Sequence, residues 1–159
     1  MIMSAKTNAV RLVQQAGIPC RESFYEFDEK DLSGIHAAQA IGMPPEQVFK
    51  TLVARGEKTG IHVFCIPVCC ELDLKKAARA AGDKNMELVA VRELLGLTGY
   101  IRGGCSPVGM KKKYPTFLDE TCILWEEIAV SAGARGHQMI LPPEPLAELL
   151  GAEITDLIQ

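Results

Sequence analysis

Two apolar runs, VFKTLVA over Val48–Ala54 and IHVFCIPV over Ile61–Val68, stand on either side of RGEKTG. A link that short suits a hairpin, so the chain is committed to an antiparallel ribbon. Shorter runs read as further strands: Ser23–Phe27, Met86–Ala90, Thr116–Leu118, Ile128–Ser131 and Gln138–Leu141, with Ile154 and the tail pairing at a sheet edge. The helices between them are short. Lys6–Ala16 carries an apolar face of Ala9, Val10, Val13 and Ala16, and Gly17 with Pro19 stops it. Asp31 or Ser33 caps a helix over His36–Ile41 that ends at Gly42, and Pro44-Pro45-Glu46 fits the first turn of another. Asp73 opens LKKAARAA, closed by Gly82, and short helices are predicted over Val91–Leu95 and Pro145–Leu150. Strands outnumber helices and hairpin-length links recur. The expected class is α+β: a mixed, largely antiparallel sheet or barrel-like core flanked by short helices.

Length and composition narrow the function classes. With 159 residues and no internal repeat, low-complexity tract or linker, the chain is expected to form one domain over residues 1–159. Its 48% hydrophobic and 23% charged residues exclude a disordered chain. The run Ile61–Val68 is broken by His62 and Pro67 and falls short of the ~20 residues of a membrane span. The opening MIMSAKTNAV lacks the apolar core and cleavage pattern of a signal peptide, so a cytoplasmic location is expected. Cys20, Cys65, Cys69, Cys70, Cys105 and Cys122 form no CxxC, and no histidine falls at a finger-like spacing. They read as reduced core residues, and no metal or cofactor is implied. Adjacent Cys69 and Cys70 would point to opposite faces of a strand and need not act together. A formal charge of −3 argues against wrapping duplex DNA. Positive charge is nevertheless gathered locally at Arg102, Lys111–Lys113 and Arg135, a patch suited to one nucleic-acid end.

That patch surrounds the most unusual stretch, TGYIRGGCSPVGMKKKYP over Thr98–Pro115. Adjacent Gly103 and Gly104 leave no side chain over their amides, so the loop can aim N–H groups at an anion or a developing oxyanion. A surface turn with a solvated basic rim fits the same residues. Lys50 shares a strand face with Val48 and Leu52, while Phe49, Thr51 and Val53 take the other. Both faces are mostly apolar, so this lysine either meets an anion or lies on an edge strand where its chain reaches water. Ser131 ends IAVS before AGARG, where its hydroxyl offers itself to a ligand or merely initiates the turn. No GxSxG elbow surrounds it. Cys105-Ser106 raises a thiol nucleophile, yet no histidine is assigned to activate it. His36, His62 and His137 have no spacing that names a base.

Together, QVFKTL (Gln47–Leu52), LDLKK (Leu72–Lys76), TGYIRGGCSPVGMKKKYPT (Thr98–Thr116) and VSAGARG (Val130–Gly136) resemble the bacterial YbaK/EbsC group. This group lies within the superfamily of prolyl-tRNA synthetase editing domains and their homologues. The resemblance implies a trans-editing deacylase acting on Cys-tRNA(Pro) and Cys-tRNA(Cys). It assigns Lys50 to anchoring the terminal nucleotide or polar groups of the substrate, and Gly103 and Gly104 to the backbone against the scissile ester. Ser131, Thr51 and Tyr25 match pocket residues, and Ser106 joins the substrate-binding candidates. Arg102, Lys111, Lys112 and Arg135 would steer the acceptor end without reading sequence. It also implies that the substrate's cysteine thiol attacks its own carbonyl, releasing a thiolactone. Two positions depart from the cysteine-type pattern: Ser33 stands where a phenylalanine is usual, and Gln138 where an aspartate is. Both are substrate-binding candidates that would retune the amino-acid pocket. The expected partners are an aminoacyl-tRNA acceptor end and, in a transient ternary complex, prolyl-tRNA synthetase. A deacylase for another small residue such as alanine, a non-catalytic binding module and a Cys105 thiol enzyme remain as alternatives.

Overall fold

The computed structural model describes residues 6–159, so the first half of the N-terminal stretch read for a signal peptide lies outside the described residues. The hairpin forms as its short link requires: β2 (Phe49–Gly56) and β3 (Gly60–Pro67) pair antiparallel from Phe49↔Pro67 to Gly56↔Gly60. The locally encoded helices also form where their caps stand. Thr7 accepts from the Val10 amide at the start of α1 (Asn8–Gln15), and Ser33 accepts from the His36 amide at the start of α2 (Gly34–Ile41). Asp73 receives the Lys75 and Lys76 amides, both at 3.0 Å, and opens α3 (Leu74–Ala81). Gly42 and Gly82 close α2 and α3 in the left-handed conformation that a side chain would resist.

The strands assemble as two sheets rather than one. The larger has the order β4-β2-β3-β5-β8, with β4 (Met86–Leu88), β5 (Thr116–Asp119) and β8 (Glu153–Thr155) added around the hairpin. Its β3–β5 and β5–β8 pairings are parallel, and the tail takes the sheet edge as expected. The smaller sheet, order β1-β7-β6, is antiparallel and consists of β1 (Arg21–Phe24), β6 (Ile128–Ala134) and β7 (His137–Leu141). One parallel bridge, Val48↔Ala129, joins them. The ladder stops there because Pro45–Gln47, just ahead of Val48, form a short 3-10 turn instead of extended strand. Gln47 prolongs the seam by side chain, donating to the Glu127 carbonyl at 2.9 Å. Among the described residues the sheets do not close into a barrel. Strand β1 ends at Phe24, short of the expected Phe27, because its partner β7 begins at His137.

Three apolar clusters follow. Val10, Val13, Phe49, Val63, Leu118, Val130 and Leu146 lie together under α1 and under α5 (Pro143–Leu150). Ala54, Phe64, Ile66, Ala77 and Leu157 cover the opposite face of the hairpin, and Ala38, Val48, Val68, Ala129 and Ile140 fill the joint beneath α2. Alternation along β2 thus sends Phe49 into the first cluster and Ala54 into the second.

The cysteines depart from expectation. Cys65 and Cys122 are buried core residues, whereas Cys69 is exposed and Cys20, Cys70 and Cys105 are half-buried. Strand β3 ends at Pro67, so Cys69 and Cys70 occupy a turn in which their sulfurs lie 3.8 Å apart, not on opposite faces of a strand. No helix among the described residues is long and apolar enough to cross a membrane.

Asp119 secures the C-terminal tail. It is fully buried; one oxygen accepts from the Leu157 amide at 2.9 Å, the other from the amide and hydroxyl of Thr121. Asp119→Ala leaves the buried Leu157 N–H without an acceptor and is expected to cost about 1–3 kcal/mol in urea unfolding. An unchanged midpoint would mean that the tail does not contribute to the cooperative unit.

Candidate active site

Strand β2 is covered along only half of its outer edge. Strand β4 reaches Ala54–Gly56, and the Val89 amide bonds the Val53 carbonyl at 3.0 Å. Towards β3, the Val68 amide bonds the Val48 carbonyl at 2.8 Å. Alternation of an antiparallel ladder then turns the peptide groups of Lys50 and Leu52 towards β3, and those of Thr51 outwards. The uncovered edge is one wall of a cleft of about 410 Å³. Facing it are the start of α2, the glycine loop and the segment 88–91.

Lys50 lines this cleft on the strand face it shares with Val48 and Leu52. It is half-buried and forms no ion pair among the described residues. Lys50 thus stands on the open half of an inner strand, at the wall of the cleft, where it can meet an anion or extend past the uncovered edge to water. Thr51 lines the cleft too; its hydroxyl lies 3.9 Å from the Cys65 sulfur, and its peptide groups point outwards.

Ser131 and Gln138 line the cleft from the smaller sheet. They are cross-strand partners on β6 and β7 and only 8% and 6% exposed. A bulge between Ser131 and Ala134 lets the Ser131 hydroxyl accept from the Gly133 amide at 3.1 Å, leaving its own proton to donate. Gln138 Oε1 is buried with no hydrogen-bond partner, a cost that a ligand donor would remove.

The two loop glycines divide their roles. Gly103 lines the cleft at φ +86°, and a Cβ there would stand 3.2 Å from the Leu32 side chain. Gly104 does not line it: its amide closes a turn onto the Ile101 carbonyl at 3.0 Å. A Cβ on Gly104 would lie 3.0–3.2 Å from the backbone of Ala134 and Arg135, so this glycine permits close packing of two loops. Arg135 stays outside the cleft and donates its Nε to the Arg102 carbonyl at 2.9 Å, pinning the loop from behind. Arg102 itself reaches the cleft wall.

Other candidates separate in the same way. Tyr25 and Ser33 line the cleft, although the Ser33 hydroxyl is occupied by Asp31 at 2.6 Å and by its helix cap. Ser106, expected to bind substrate, is fully buried outside the lining and accepts from the Val108 amide, so it shapes the loop. Lys111 and Lys112 also lie away from the cleft; Lys112 borders a separate hollow of about 230 Å³. The sequence reading missed Leu32, Gly34 and Val68. A Cβ on Gly34 would fall 2.2 Å from Val68 Cγ1, so this glycine lets α2 press onto the hairpin, a contact without any local signature.

No protein nucleophile with an adjacent base is present among the described residues. Burial pushes the Cys105 thiol up to about 11, and a hydrogen bond with Thr98 offsets only part of this. None of the three histidines lines the cleft. His137 is held by Glu22 at 2.8 Å, His62 lies against the stacked pair Phe64 and Phe117, and His36 stands edge-on to Tyr25. The cleft therefore provides an ammonium, outward peptide groups, a hydroxyl and an unpaired carbonyl oxygen. That set can hold a polar ester and stabilise negative charge growing on it, while the attacking atom must come from the reactants. At neutral pH, Cys105 should be alkylated by iodoacetamide about 10-fold or more slower than free cysteine, because burial disfavours its thiolate. Peptide mass mapping reads this, and rapid labelling of Cys105 would reinstate it as a nucleophile.

Comparison with known proteins bears on this geometry. Residues 32–149 match the profile of a family described as the aminoacyl-tRNA editing domain. The chain is 45% identical, over 96% of its length and 93% of the relative's, to EbsC of Enterococcus faecalis, named as a candidate Cys-tRNA(Pro)/Cys-tRNA(Cys) deacylase. Among solved structures it is similar to a candidate trans-editing enzyme for prolyl-tRNA synthetase, at 30% identity and TM-score 0.79 over 98% of this chain and 99% of that one. It shares its fold with the hypothetical protein APE2540, at 21% identity and TM-score 0.85 over 94% and 98% of the two chains.

Proposed function

The chain belongs to the aminoacyl-tRNA editing domain family, and we propose that it is a trans-editing deacylase removing cysteine from Cys-tRNA(Pro) and Cys-tRNA(Cys). The observation that carries this reading is a cleft with charge and hydrogen-bonding groups but no activated protein nucleophile. A cysteinyl ester brings its own. Its thiol attacks the ester carbonyl, the bond to the terminal ribose oxygen breaks, and that oxygen takes the thiol proton. The products are a thiolactone and uncharged tRNA. Holding thiol and carbonyl together is the larger part of such catalysis.

Each cleft residue then has a task. The Gly103 amide faces the carbonyl oxygen as charge develops; one such donor contributes ~2.7–4 kcal/mol. The Lys50 ammonium anchors the polar end of the nucleotide, and Tyr25 and Ser33 bound the amino-acid side. Gln138 Oε1 accepts from the substrate's α-ammonium, with Ser131 beside it and the Thr51 backbone opposite. Arg102 guides the acceptor end, and Lys111 and Lys112 act on the RNA beyond the cleft. In this reading Gly104, Arg135 and Ser106 hold the loop in place. The chain works as one editing domain, with the tRNA acceptor end as ligand and prolyl-tRNA synthetase as a transient third partner.

A second reading, water-mediated removal of alanine, rests on the same unpaired Gln138 oxygen, which suits a bound water as well as an ammonium. Incubation with Cys-, Ala- and Ser-tRNA(Pro), with products identified by mass, separates the two. Thiolactone from the cysteinyl substrate alone is expected. Free alanine would favour the water route, and no release from any of the three would reduce the protein to a binding module.

Two substitutions test the assignments. Lys50→Ala should fold normally and lose about 100-fold or more in kcat/KM. Gln138→Leu removes an acceptor for a charged donor, worth about 1.5–3 kcal/mol, and should raise KM about 10–100-fold with little change in Tm. A fully active Lys50→Ala protein would overturn the site.

A further inference from the structure

Cys69 and Cys70 have no part in the reaction above, yet they stand against its machinery. They follow β3 in a turn closed by the Cys70 amide on the Pro67 carbonyl at 3.0 Å, with Sγ atoms 3.8 Å apart. Cys69 is exposed and Cys70 half-buried. Val68, directly before them, is a wall of the cleft and fills the space left by Gly34. The Lys50 charge reaches the Cys70 sulfur, opposing the burial and the Cys69 contact that together hold this thiol up to about 11. Extended backbone would have parted the two sulfurs; the turn brings them together and leaves one open to solvent.

We propose that Cys69 and Cys70 form a covalent modification site, a vicinal dithiol that a peroxide oxidises to a disulfide, with the change felt in the cleft through Val68 and Lys50. The site of action rests on the functional reading, whereas the dithiol itself does not. Cys69, the accessible thiol, attacks one peroxide oxygen as thiolate, giving a sulfenic acid and one water. Cys70 then attacks the Cys69 sulfur and expels hydroxide, which leaves as water with the Cys70 proton. Two thiols lose two electrons and two protons, and one hydrogen peroxide becomes two waters. The ring that closes contains the Cys69–Cys70 peptide, so the turn backbone must move, and Val68 is its immediate neighbour. Conversion of the Cys70 thiol to a disulfide also removes the ionisable group whose charge the Lys50 ammonium influences.

The test uses the full chain and hydrogen peroxide. Intact and peptide mass should record a loss of about 2 Da, two hydrogens, in the peptide holding both cysteines, reversed by dithiothreitol. Deacylation of Cys-tRNA(Pro) should fall about 5-fold or more on oxidation and recover on reduction. Cys69→Ser should keep the basal rate and become insensitive to peroxide. Acetylation of Lys50 by an N-hydroxysuccinimide ester gives a readout that does not depend on activity, with a change of about threefold expected on oxidation. No loss of 2 Da overturns the proposal. So does a disulfide that leaves both deacylation and Lys50 acetylation unchanged. If the untreated protein releases no amino acid from any tRNA, the functional reading fails, while mass and Lys50 acetylation still decide the fate of the dithiol.

Discussion

The single bridge between Val48 and Ala129 is the constraint from which the site follows. A longer ladder would have merged the two sheets and covered the edge of β2. Instead the seam begins at Val48, directly after the short 3-10 turn Pro45–Gln47, and no further bridge joins the two sheets among the described residues. Strand β4 reaches the far half of β2, and the uncovered part between is where the cleft opens. A lysine in that stretch stands half-buried at the uncovered edge of a packed sheet. Its position is thus a product of sheet termination, not of a dedicated binding loop.

The glycine loop is held by contacts distributed over several neighbours. Arg135 clamps the Arg102 carbonyl, Tyr100 donates to the Val108 carbonyl at 2.6 Å, and Gly104 lets the loop lie on the backbone of the β6–β7 turn. An oxyanion donor acts without reorganisation only if it is held before the substrate arrives. Residues that touch no substrate in the proposed mechanism, such as Gly104 and Arg135, would therefore affect the reaction by fixing Gly103.

How far the sequence could reveal this depends on the range of the interaction. The hairpin, the caps at Ser33 and Asp73, and the stops at Gly42 and Gly82 are written in neighbouring residues, and all formed as read. The family resemblance rested on motifs in order along the chain, and the profile match and relatives support it. Division into two sheets depends on which strand meets which across the whole fold, and no local pattern encodes that. Ser106 and Gly104 misled because a residue in a functional loop can face into the protein, and only packing decides the side. Cys69 and Cys70 misled because the strand preceding them ends at Pro67, three residues short of the end that an extended pair would need.

The chemistry of the cleft also bears on selectivity. In the proposed mechanism the cleft of about 410 Å³ takes part of the terminal nucleotide as well as the amino acid, so its volume alone sets no limit on the side chain. A pocket that lacks a base discriminates in another way. An alanyl ester has no atom with which to attack its own carbonyl, and a seryl hydroxyl is a far poorer nucleophile than a thiol, which is a few per cent ionised at neutral pH. In the proposed mechanism Tyr25, Ser33 and Gln138 need only hold the aminoacyl group in place, and the substrate supplies the rest. Under that logic, replacing a carboxylate by Gln138 is tolerable: a neutral acceptor still orients an ammonium, and no proton need be removed by the protein.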